Sequence, residues 1–381
     1  MRALRGRVVT QFEVITEGQV EIDAGRITYV GYTRPFDCAV TDYGDSIIAP
    51  GFIDIHIHGL AGYDAMDHDP ESIQQISKHL AAKGVTGFLA TLQTAPFDEM
   101  LAGLKQVKQA TEHGGLGARL LGSHLEGPYI NAAKQGAQQD YVRKPTRGEL
   151  ETILDAASGS LKIVTLAPEV EGGLEAVEFL KKNGVLVSAG HSDASYEEGL
   201  RAFDVGVSQL SHMWNGMRGV HHREPGIVGA GLVDDRVTVE LIADGHHVHS
   251  AILRLTVNIK GASKVALVSD SIKPSGLPSG EYVFDGRTYL LEDGFVKLPS
   301  GVIAGSSVGL NDAVRNMVRE VGISLSDAVQ MAADTPARLL GLHKGRLESG
   351  FDADITVMDD GFNVIETIVE GRTVYRLGGG V

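Results

Sequence analysis

The feature that most constrains the fold is an alternation of short apolar runs with amphipathic helical segments along the middle of the chain. Eight apolar runs predict strands at Phe52–Ile55, Gly87–Thr91, Arg119–Ser123, Lys162–Leu166, Val185–Ala189, Val207–Ser211, Thr238–Ala243 and Val265–Ser269. Helical patterns separate most of them, at Pro70–Lys83, Glu99–Glu112, Arg147–Ala157, Leu174–Asn183 and Tyr196–Phe203. This order predicts an α/β fold, a (β/α)8 TIM-like barrel, whose functional sites lie at the carboxyl ends of the strands.

The two ends of the chain have a different pattern, in which apolar and polar residues alternate as in half-buried strands. Examples are Gly18–Ile22 near the N-terminus and Val364–Val369 near the C-terminus. Neither end is comfortably large enough to form a stable sheet alone. We therefore expect residues 1–50 and 345–381 to pair into one small β-sandwich domain, with the catalytic barrel domain, residues 51–344, inserted between them.

Six residues that could bind a metal ion each lie at or just beyond the end of a predicted strand. They are His56 and His58 after the first strand, Glu126 after the third, His191 after the fifth, His212 after the sixth and Asp270 after the eighth. His56 and His58 would project to the same side, because they are two residues apart in an extended segment. Imidazole and carboxylate ligands suit zinc, iron or manganese, and a site with an open position can activate water. The pattern predicts a metal-dependent hydrolase.

Each of these residues also has a plain structural interpretation. A His-X-His pair in an apolar strand is more often structural, and Glu126 before Gly-Pro is typical of an exposed acid in a turn. His191 and Asp270 can cap the segments that follow them, and His212 can be a satisfied core histidine. Accidental placement would scatter such residues over both ends of the barrel, so their common position favours the metal site.

Composition excludes several classes of partner. The chain of 381 residues carries a net charge of −15, which argues against nucleic acid and against an anionic membrane surface. No apolar stretch is long enough to span a bilayer, and the first residues lack the apolar core of a signal peptide. The single cysteine, Cys38, excludes an intrachain disulfide, so a cytoplasmic location is expected. An anionic small substrate would need a local cluster of cationic groups.

Several motifs resemble those of the amidohydrolase superfamily. Pro50–Gly59 is similar to the first-strand signature of that superfamily, and Gly345–Asp354 is similar to its return to the sandwich domain. The motifs HLEGP, GHSDA, SHMWNGM, REPG, ADGHHV and GSS occur in this order and resemble the N-acetylglucosamine-6-phosphate deacetylase group of the superfamily. The resemblance covers nearly the whole chain. It implies hydrolysis of the acetamide of a phosphorylated N-acetyl amino sugar, N-acetylglucosamine 6-phosphate, in amino-sugar catabolism.

The resemblance also implies roles for the six candidate ligands. Glu126, His191 and His212 would form the metal site found throughout the group. His56, His58 and Asp270 would complete a second site, with Glu126 bridging, so one or two divalent ions per subunit are expected, most simply zinc or iron. Asp270 would in addition be the catalytic acid and base, taking a proton from water and passing it to the leaving amine.

The resemblance further implies a substrate pocket that is shared between subunits. Arg223 would clamp the phosphate. His247 would join it, and in the group this histidine reaches the site of a neighbouring subunit, which implies at least a homodimer. Asn215 and the Gly216 backbone would also bind the phosphate end. Further substrate contacts are expected at Ala137, Gln138, Asp244, Gly245, His246, Ile303, Ala304 and Gly305. Gln138 stands where many relatives carry histidine, and its amide can polarise a carbonyl oxygen without a positive charge.

Two other functions remain open at this point. The same chemistry on N-acetylgalactosamine 6-phosphate differs only in the orientation of one hydroxyl group. A catalytically silent amidohydrolase-like protein, used for assembly or sensing, would be expected to lose ligands or the strand-eight aspartate. This chain has all six residues.

Overall fold

The computed structural model describes residues 1–67, 69–113 and 115–379. The strands are β1 (Arg2–Val9), β2 (Val14–Asp23), β3 (Arg26–Tyr32), β4 (Ala39–Pro50), β5 (Phe52–Ile57), β6 (Gly59–Leu60), β7 (Tyr63–Asp64), β8 (Val85–Leu92), β9 (Arg119–Glu126), β10 (Leu161–Leu166), β11 (Leu186–Ala189), β12 (Val207–Leu210), β13 (Thr238–Ile242), β14 (Val265–Val268), β15 (Gly280–Phe284), β16 (Arg287–Glu292), β17 (Phe295–Lys297), β18 (Ile303–Ser306), β19 (Ile355–Met358), β20 (Val364–Val369) and β21 (Arg372–Arg376). The α-helices are α1 (Pro70–Ala81), α2 (Phe97–His113), α3 (Arg147–Ala157), α4 (Gly173–Lys182), α5 (Tyr196–Val205), α6 (Gly226–Val233), α7 (Ser250–Lys260), α8 (Leu310–Asn316), α9 (Leu325–Ala332) and α10 (Asp334–Leu339).

The eight predicted barrel strands form one parallel sheet. Its strand order is β14-β13-β12-β11-β10-β9-β8-β5, so neighbours in the sequence are neighbours in the sheet, apart from the small β6–β7 pair. The two outer strands meet where the N–H of Asp270, just after β14, donates to the carbonyl of His56 in β5 at 2.9 Å. The barrel prediction is therefore confirmed. The strand bounds differ from the predicted ones by a few residues, the largest difference being that β9 continues to Glu126.

The five predicted helices are also present, and local capping explains where two of them begin. At α3 the Thr146 side chain accepts a hydrogen bond from the N–H of Glu149. At α5, Ser195 and Glu198 form a capping box, in which each side chain bonds the other residue's backbone. Such caps fix the direction in which each helix leaves its loop, and so help to return the chain to the next strand.

The two chain ends pair in one sheet. Its order is β21-β20-β19-β4-β1-β2-β3, and β19 from the C-terminal end pairs antiparallel with β4 from the N-terminal end. A separate hydrophobic cluster lies against it, with buried members that include Leu4, Val20, Ile48, Ile355 and Ile368. The division into domains at residues 50 and 345 stays a prediction. The predicted domains also include His68, Gly114, Gly380 and Val381, which lie outside the described residues.

A four-stranded antiparallel sheet, β15-β16-β17-β18, follows the last barrel strand and was not predicted. Its last strand lies beside the end of the barrel, since the N–H of Ser306 donates to the carbonyl of Asp270 at 3.0 Å. This sheet therefore brings the segment Ile303–Ser306 to the carboxyl end of the barrel. Within the described part of the chain, no helix has the length and apolar character that crossing a bilayer requires.

Candidate metal centre and substrate pocket

The six candidate ligands converge at the carboxyl end of the barrel. Glu126 is the last residue of β9, whereas His191, His212 and Asp270 each lie two residues beyond the ends of β11, β12 and β14. These three residues have positive φ angles of 47°, 28° and 46°. Such angles are uncommon outside glycine and cluster at functional sites, where the surrounding structure holds the backbone in place. The same end of the barrel therefore carries both the candidate ligands and the strained turns.

Glu126 lies at the centre of four imidazoles. Its Oε1 is 3.1 Å from Nε2 of His191, 2.8 Å from Nε2 of His212 and 3.4 Å from Nε2 of His56. Its Oε2 is 3.3 Å from Nε2 of His58. The Nε2 atoms of His191 and His212 are themselves 3.2 Å apart. One buried carboxylate is thus in contact with both groups of histidines.

Asp270 lies on the pocket side of this cluster. Its Oδ1 is 3.6 Å from Nε2 of His56 and 3.4 Å from Nε2 of His58. Its side chain is 15% exposed, whereas that of Glu126 is 2% exposed. Asp270 is therefore the more exposed carboxylate of the pair.

The electrostatics of the cluster favour bound positive charge. Burial opposes a charge on His58, but Asp270 and Glu126 outweigh it and raise its pKa to about 9. Burial would likewise raise the pKa of Glu126, but His56 and the hydrogen bonds from His191 and His212 hold it well below its usual range. A cluster of carboxylates that pulls protons onto neighbouring imidazoles attracts metal cations for the same reason.

A pocket of about 230 Å³ opens above the cluster. It is lined by five of the candidate ligands and by Gln93, Gly136, Ala137, Gln138, Asn215, Gly216, His247, Ile272, Val302, Ile303, Ala304 and Gly305. The structure thus brings together eight of the predicted substrate contacts, from Ala137 to Gly305. Gln93, Gly136, Ile272 and Val302 were not predicted. Gln93 follows β8 directly and Ile272 follows Asp270 closely, so their positions after barrel strands were an available signal.

Four predicted substrate residues do not line this pocket: Arg223, Asp244, Gly245 and His246. Arg223 and His246 are exposed, and the His246 ring stacks on Phe295 of β17 with centroids 4.5 Å apart. Asp244 is buried, and its Oδ2 lies 2.6 Å from Nδ1 of His247. Burial opposes a charge on His247, but Asp244 raises its pKa. Asp244 therefore orients and charges a pocket residue without lining the pocket itself.

His247 lines the pocket of its own chain, and its side chain is 6% exposed. The contact with Asp244 turns the imidazole toward this pocket. The expected role at a neighbouring subunit stays a prediction. Arg223, expected to act with His247 on one phosphate, lies instead on an exposed loop, where its guanidinium is 2.8 Å from Nε2 of His222.

Comparison with known proteins identifies the family. The amidohydrolase family profile matches residues 47–374. The chain belongs to the amidohydrolase family. It is 38% identical over 369 residues to the N-acetylgalactosamine-6-phosphate deacetylase of Escherichia coli O157:H7, covering 96% of this chain and 97% of that protein. It is 39% identical over 331 residues to the N-acetylglucosamine-6-phosphate deacetylase of Vibrio furnissii, covering 86% of this chain and 83% of that protein.

A solved structure is similar over the whole length of this amidohydrolase. It is a mutant of the N-acetyl-D-glucosamine-6-phosphate deacetylase of Mycobacterium smegmatis in complex with N-acetyl-D-glucosamine-6-phosphate. The TM-score is 0.93 at 32% identity, and the match covers 98% of this chain and 99% of that one. Within its family, the chain therefore belongs to the group that contains these sugar-phosphate deacetylases.

The side chains present in this amidohydrolase fit a divalent metal ion. Nε2 of His56 is buried and has no hydrogen-bond partner among the described residues. Two sets, His56 with Glu126 and His212, and His56 with His58 and Asp270, each place three possible ligand atoms within 4.8 Å of one another. Buried nitrogen that is left unpaired is costly, and coordination to an ion would satisfy it. Imidazole with carboxylate is a donor set that suits zinc and iron.

The hydrogen bonds of His191 and His124 distinguish a candidate ligand from a core histidine. Nδ1 of His191 lies 2.9 Å from the carbonyl of Lys134, which fixes its ring with Nε2 toward Glu126. His124, also in the barrel interior, has both ring nitrogens engaged, with the carbonyl of Ile55 at 3.0 Å and Oγ1 of Thr165 at 2.7 Å. His124 is therefore a satisfied core histidine, and it was not predicted as a ligand.

A larger cleft, of about 630 Å³, lies between α3 and α4. Leu150, Leu154 and Phe179 are among its apolar lining residues, and charged residues such as Arg147 and Glu178 also line it. None of the six candidate ligands contributes to it. We therefore place the chemistry of this amidohydrolase in the smaller pocket at the end of the barrel.

Proposed function

We propose that this amidohydrolase removes the acetyl group of N-acetylglucosamine 6-phosphate and produces glucosamine 6-phosphate and acetate. The observation that carries the proposal is the cluster of Glu126, four histidines and Asp270 at the floor of the pocket. The similarity to deacetylases of this class over nearly the whole chain supports the choice of substrate. A catalytically silent role is disfavoured, because all six residues are present and close together.

The candidate ligands would form two groups, and Glu126 would belong to both. Glu126, His191 and His212 would hold one divalent ion, and His56, His58 and Asp270 would hold a second. Zinc and iron are the ions that we propose. When bound, such an ion supplies Lewis-acid activation of water and of the amide carbonyl.

Asp270 and Gln138 would act directly on the reacting groups. Asp270 accepts the proton that the attacking water loses and transfers it to the amine nitrogen, because an amide nitrogen leaves poorly without a proton. Gln138 has two amide hydrogens, and one of them is directed at Glu126. The other is available to the carbonyl oxygen, where negative charge develops as water attacks the carbonyl carbon.

The phosphate would lie at the opposite end of the pocket from Gln138. Asn215, the Gly216 backbone and a charged His247 would bind it from the same chain. Among the described residues that line the pocket, none is lysine or arginine, although a dianionic phosphate needs such a charge. We propose that Arg223, on its exposed loop, supplies this charge to the pocket of a neighbouring subunit, which makes the protein a homodimer or a higher homo-oligomer. A cytoplasmic location, which the lone cysteine favours, is part of the proposal.

A second candidate substrate is N-acetylgalactosamine 6-phosphate. The Escherichia coli relative named for that substrate matches 96% of this chain, so the similarity alone does not choose between the epimers. Steady-state kinetics with both epimers, on protein of measured metal content, test the proposal. We expect the higher kcat/KM for N-acetylglucosamine 6-phosphate. A higher kcat/KM for the 4-epimer would reverse the assignment, and acetate release from neither would contradict the function.

A further inference from the structure

Glu240 is a buried carboxylate in β13 to which the mechanism above gives no role. Its side chain is fully buried among barrel strands. Oε2 lies 2.9 Å from Nδ1 of His56 and accepts a hydrogen bond from the backbone N–H of His212 at 3.0 Å. Oε1 accepts a hydrogen bond from the side-chain amide of Gln209. The carboxylate therefore contacts two candidate ligands that come from different strands.

The contact with His56 decides which ring nitrogen faces the centre. Because Nδ1 is directed at Glu240, Nε2 is the ring nitrogen directed toward Glu126 and Asp270, at 3.4 and 3.6 Å. The other histidines of the cluster lack such a carboxylate. Nδ1 of His191 contacts a backbone carbonyl oxygen, whereas Nδ1 of His58 and Nδ1 of His212 have no hydrogen-bond partner among the described residues.

The contact with His212 acts on the backbone. His212 has a φ angle of 28°, outside the conformations that most residues adopt. Its N–H is held by the side chain of Glu240, and the N–H of Met213 donates to the main-chain carbonyl of Glu240 at 2.9 Å. Glu240 thus holds the strained turn that delivers the His212 imidazole to Glu126.

We infer that Glu240 is a positioning residue for the metal centre, which fixes the tautomer of His56 and the backbone of His212 through one oxygen atom. A carboxylate behind a ligating imidazole sets the ring direction and increases the basicity of the ligand. The inference rests on the metal centre of the proposed function. It adds a residue on the seventh barrel strand, which supplies no ligand itself, and it connects ligands from the first and sixth strands.

The test is a direct measurement of metal affinity in Glu240→Gln. The substitution keeps the size of the side chain and removes the carboxylate that accepts the Nδ1–H of His56. We expect at least one divalent ion to bind about 10–100-fold more weakly than in wild-type protein, the usual effect of losing such a partner. The measurement is ion content per chain, by elemental analysis after dialysis against graded chelator, so it does not depend on activity.

Glu366→Gln is the matched control. Glu366 is a buried glutamate as well, but it lies in β20, in the sheet that the two chain ends form. It accepts hydrogen bonds from Tyr43, Thr373 and Arg376. We expect this control to lower the free energy of unfolding and to leave ion affinity unchanged. Equal ion affinities in Glu240→Gln and wild-type protein would overturn the inference while leaving the proposed function intact. Wild-type protein that binds no divalent ion would contradict both.

A second variant covers the case in which Glu240→Gln does not fold. Glu240→Asp keeps the charge but is one methylene shorter, so one oxygen cannot reach both His56 and His212. We expect folded protein with an ion affinity about tenfold lower than wild type, at the lower end of the range for partners of ligating histidines. Wild-type affinity in Glu240→Asp would overturn the inference in the same way.

Discussion

The side-chain amide of Gln138 donates a hydrogen bond to Oε2 of Glu126, the carboxylate that contacts all four histidines of the cluster. The direction of this amide is fixed, because Oε1 of Gln138 accepts a hydrogen bond from the backbone N–H of Thr94 at 2.8 Å. The NH₂ group therefore faces the pocket. Gln138 is therefore a neutral hydrogen-bond donor that is held in place beside the cluster.

Replacing Gln138 by leucine removes this donor. We expect kcat to fall by roughly 10²–10³, the usual effect of losing one donor to a developing oxyanion, with unchanged ion content. Gln138→His should recover part of the loss, since an imidazole can donate to the same oxygen. Gln139→Leu is the control, because Gln139 is the next residue along the chain and does not line the pocket. Near-native kcat in Gln138→Leu would remove Gln138 from the mechanism.

Asp270→Asn keeps the shape of the side chain and removes its ability to carry a proton. We expect kcat to fall by about 10²–10⁴ while the KM for the phosphorylated sugar changes little, because proton transfer contributes to the transition state alone. Ion content has to be measured on the same samples, since Asp270 also contacts His58. A variant that holds its ions and keeps wild-type kcat would show that Asp270 only caps the turn after β14.

Arg223→Ala tests how the phosphate is bound. A charge-assisted bidentate contact contributes about 1.5–3 kcal/mol, so kcat/KM should fall by roughly one to two orders of magnitude. Unphosphorylated N-acetylglucosamine, which we expect to be a poor substrate, should be affected much less. If the loss were equal for both sugars, Arg223 would not be the phosphate ligand.

Mixing two impaired proteins tests whether Arg223 serves a neighbour. In a mixed dimer of Arg223→Ala and Asp270→Asn chains, one pocket would have both Asp270 and a neighbour's Arg223. We expect kcat/KM to rise above that of either variant after subunit exchange, and not before it. Mixtures that stay at the activity of the separate variants would place Arg223 in its own chain's site, and sedimentation of an active monomer would exclude sharing altogether.

Asp64 should make stability depend on pH. Burial raises its pKa to about 6, compared with about 4 in an unfolded chain. Between these values the folded state holds the proton that the unfolded chain has lost, so this residue lowers stability as the pH rises through that window. Asp64→Asn should therefore gain stability relative to wild type between pH 4 and pH 7, by up to about 3 kcal/mol. Urea unfolding of metal-free protein measures the difference, and a difference independent of pH would contradict the assignment.

The six candidate ligands could be predicted because barrel topology determines where strand ends lie. A parallel barrel brings the carboxyl ends of all its strands together, so side chains as distant in sequence as His56 and Asp270 had to be neighbours. The distances between them, and the central position of Glu126, required coordinates. Both depend on the positive φ angles at His191, His212 and Asp270, and an amino-acid pattern does not specify these for residues other than glycine.

Three features were not predicted from the sequence. The sheet β15–β18 has short strands whose pairing depends on turns, so the pattern of apolar runs does not reveal it. The inward direction of His247 depends on its contact with Asp244, which alternation alone does not reveal. Glu240 did leave a signal, because a glutamate within the apolar run Thr238–Ile242 has to find a partner when the strand is buried.

The most direct test of the account is acetate release by one preparation before and after its metal is removed and restored. We predict that protein with one or two divalent ions per chain releases one acetate for each N-acetylglucosamine 6-phosphate consumed. Chelation should abolish turnover, leave the barrel folded by circular dichroism, and be reversed by adding zinc or iron(II). Full activity in protein shown by elemental analysis to hold no stoichiometric metal would contradict the account at its centre.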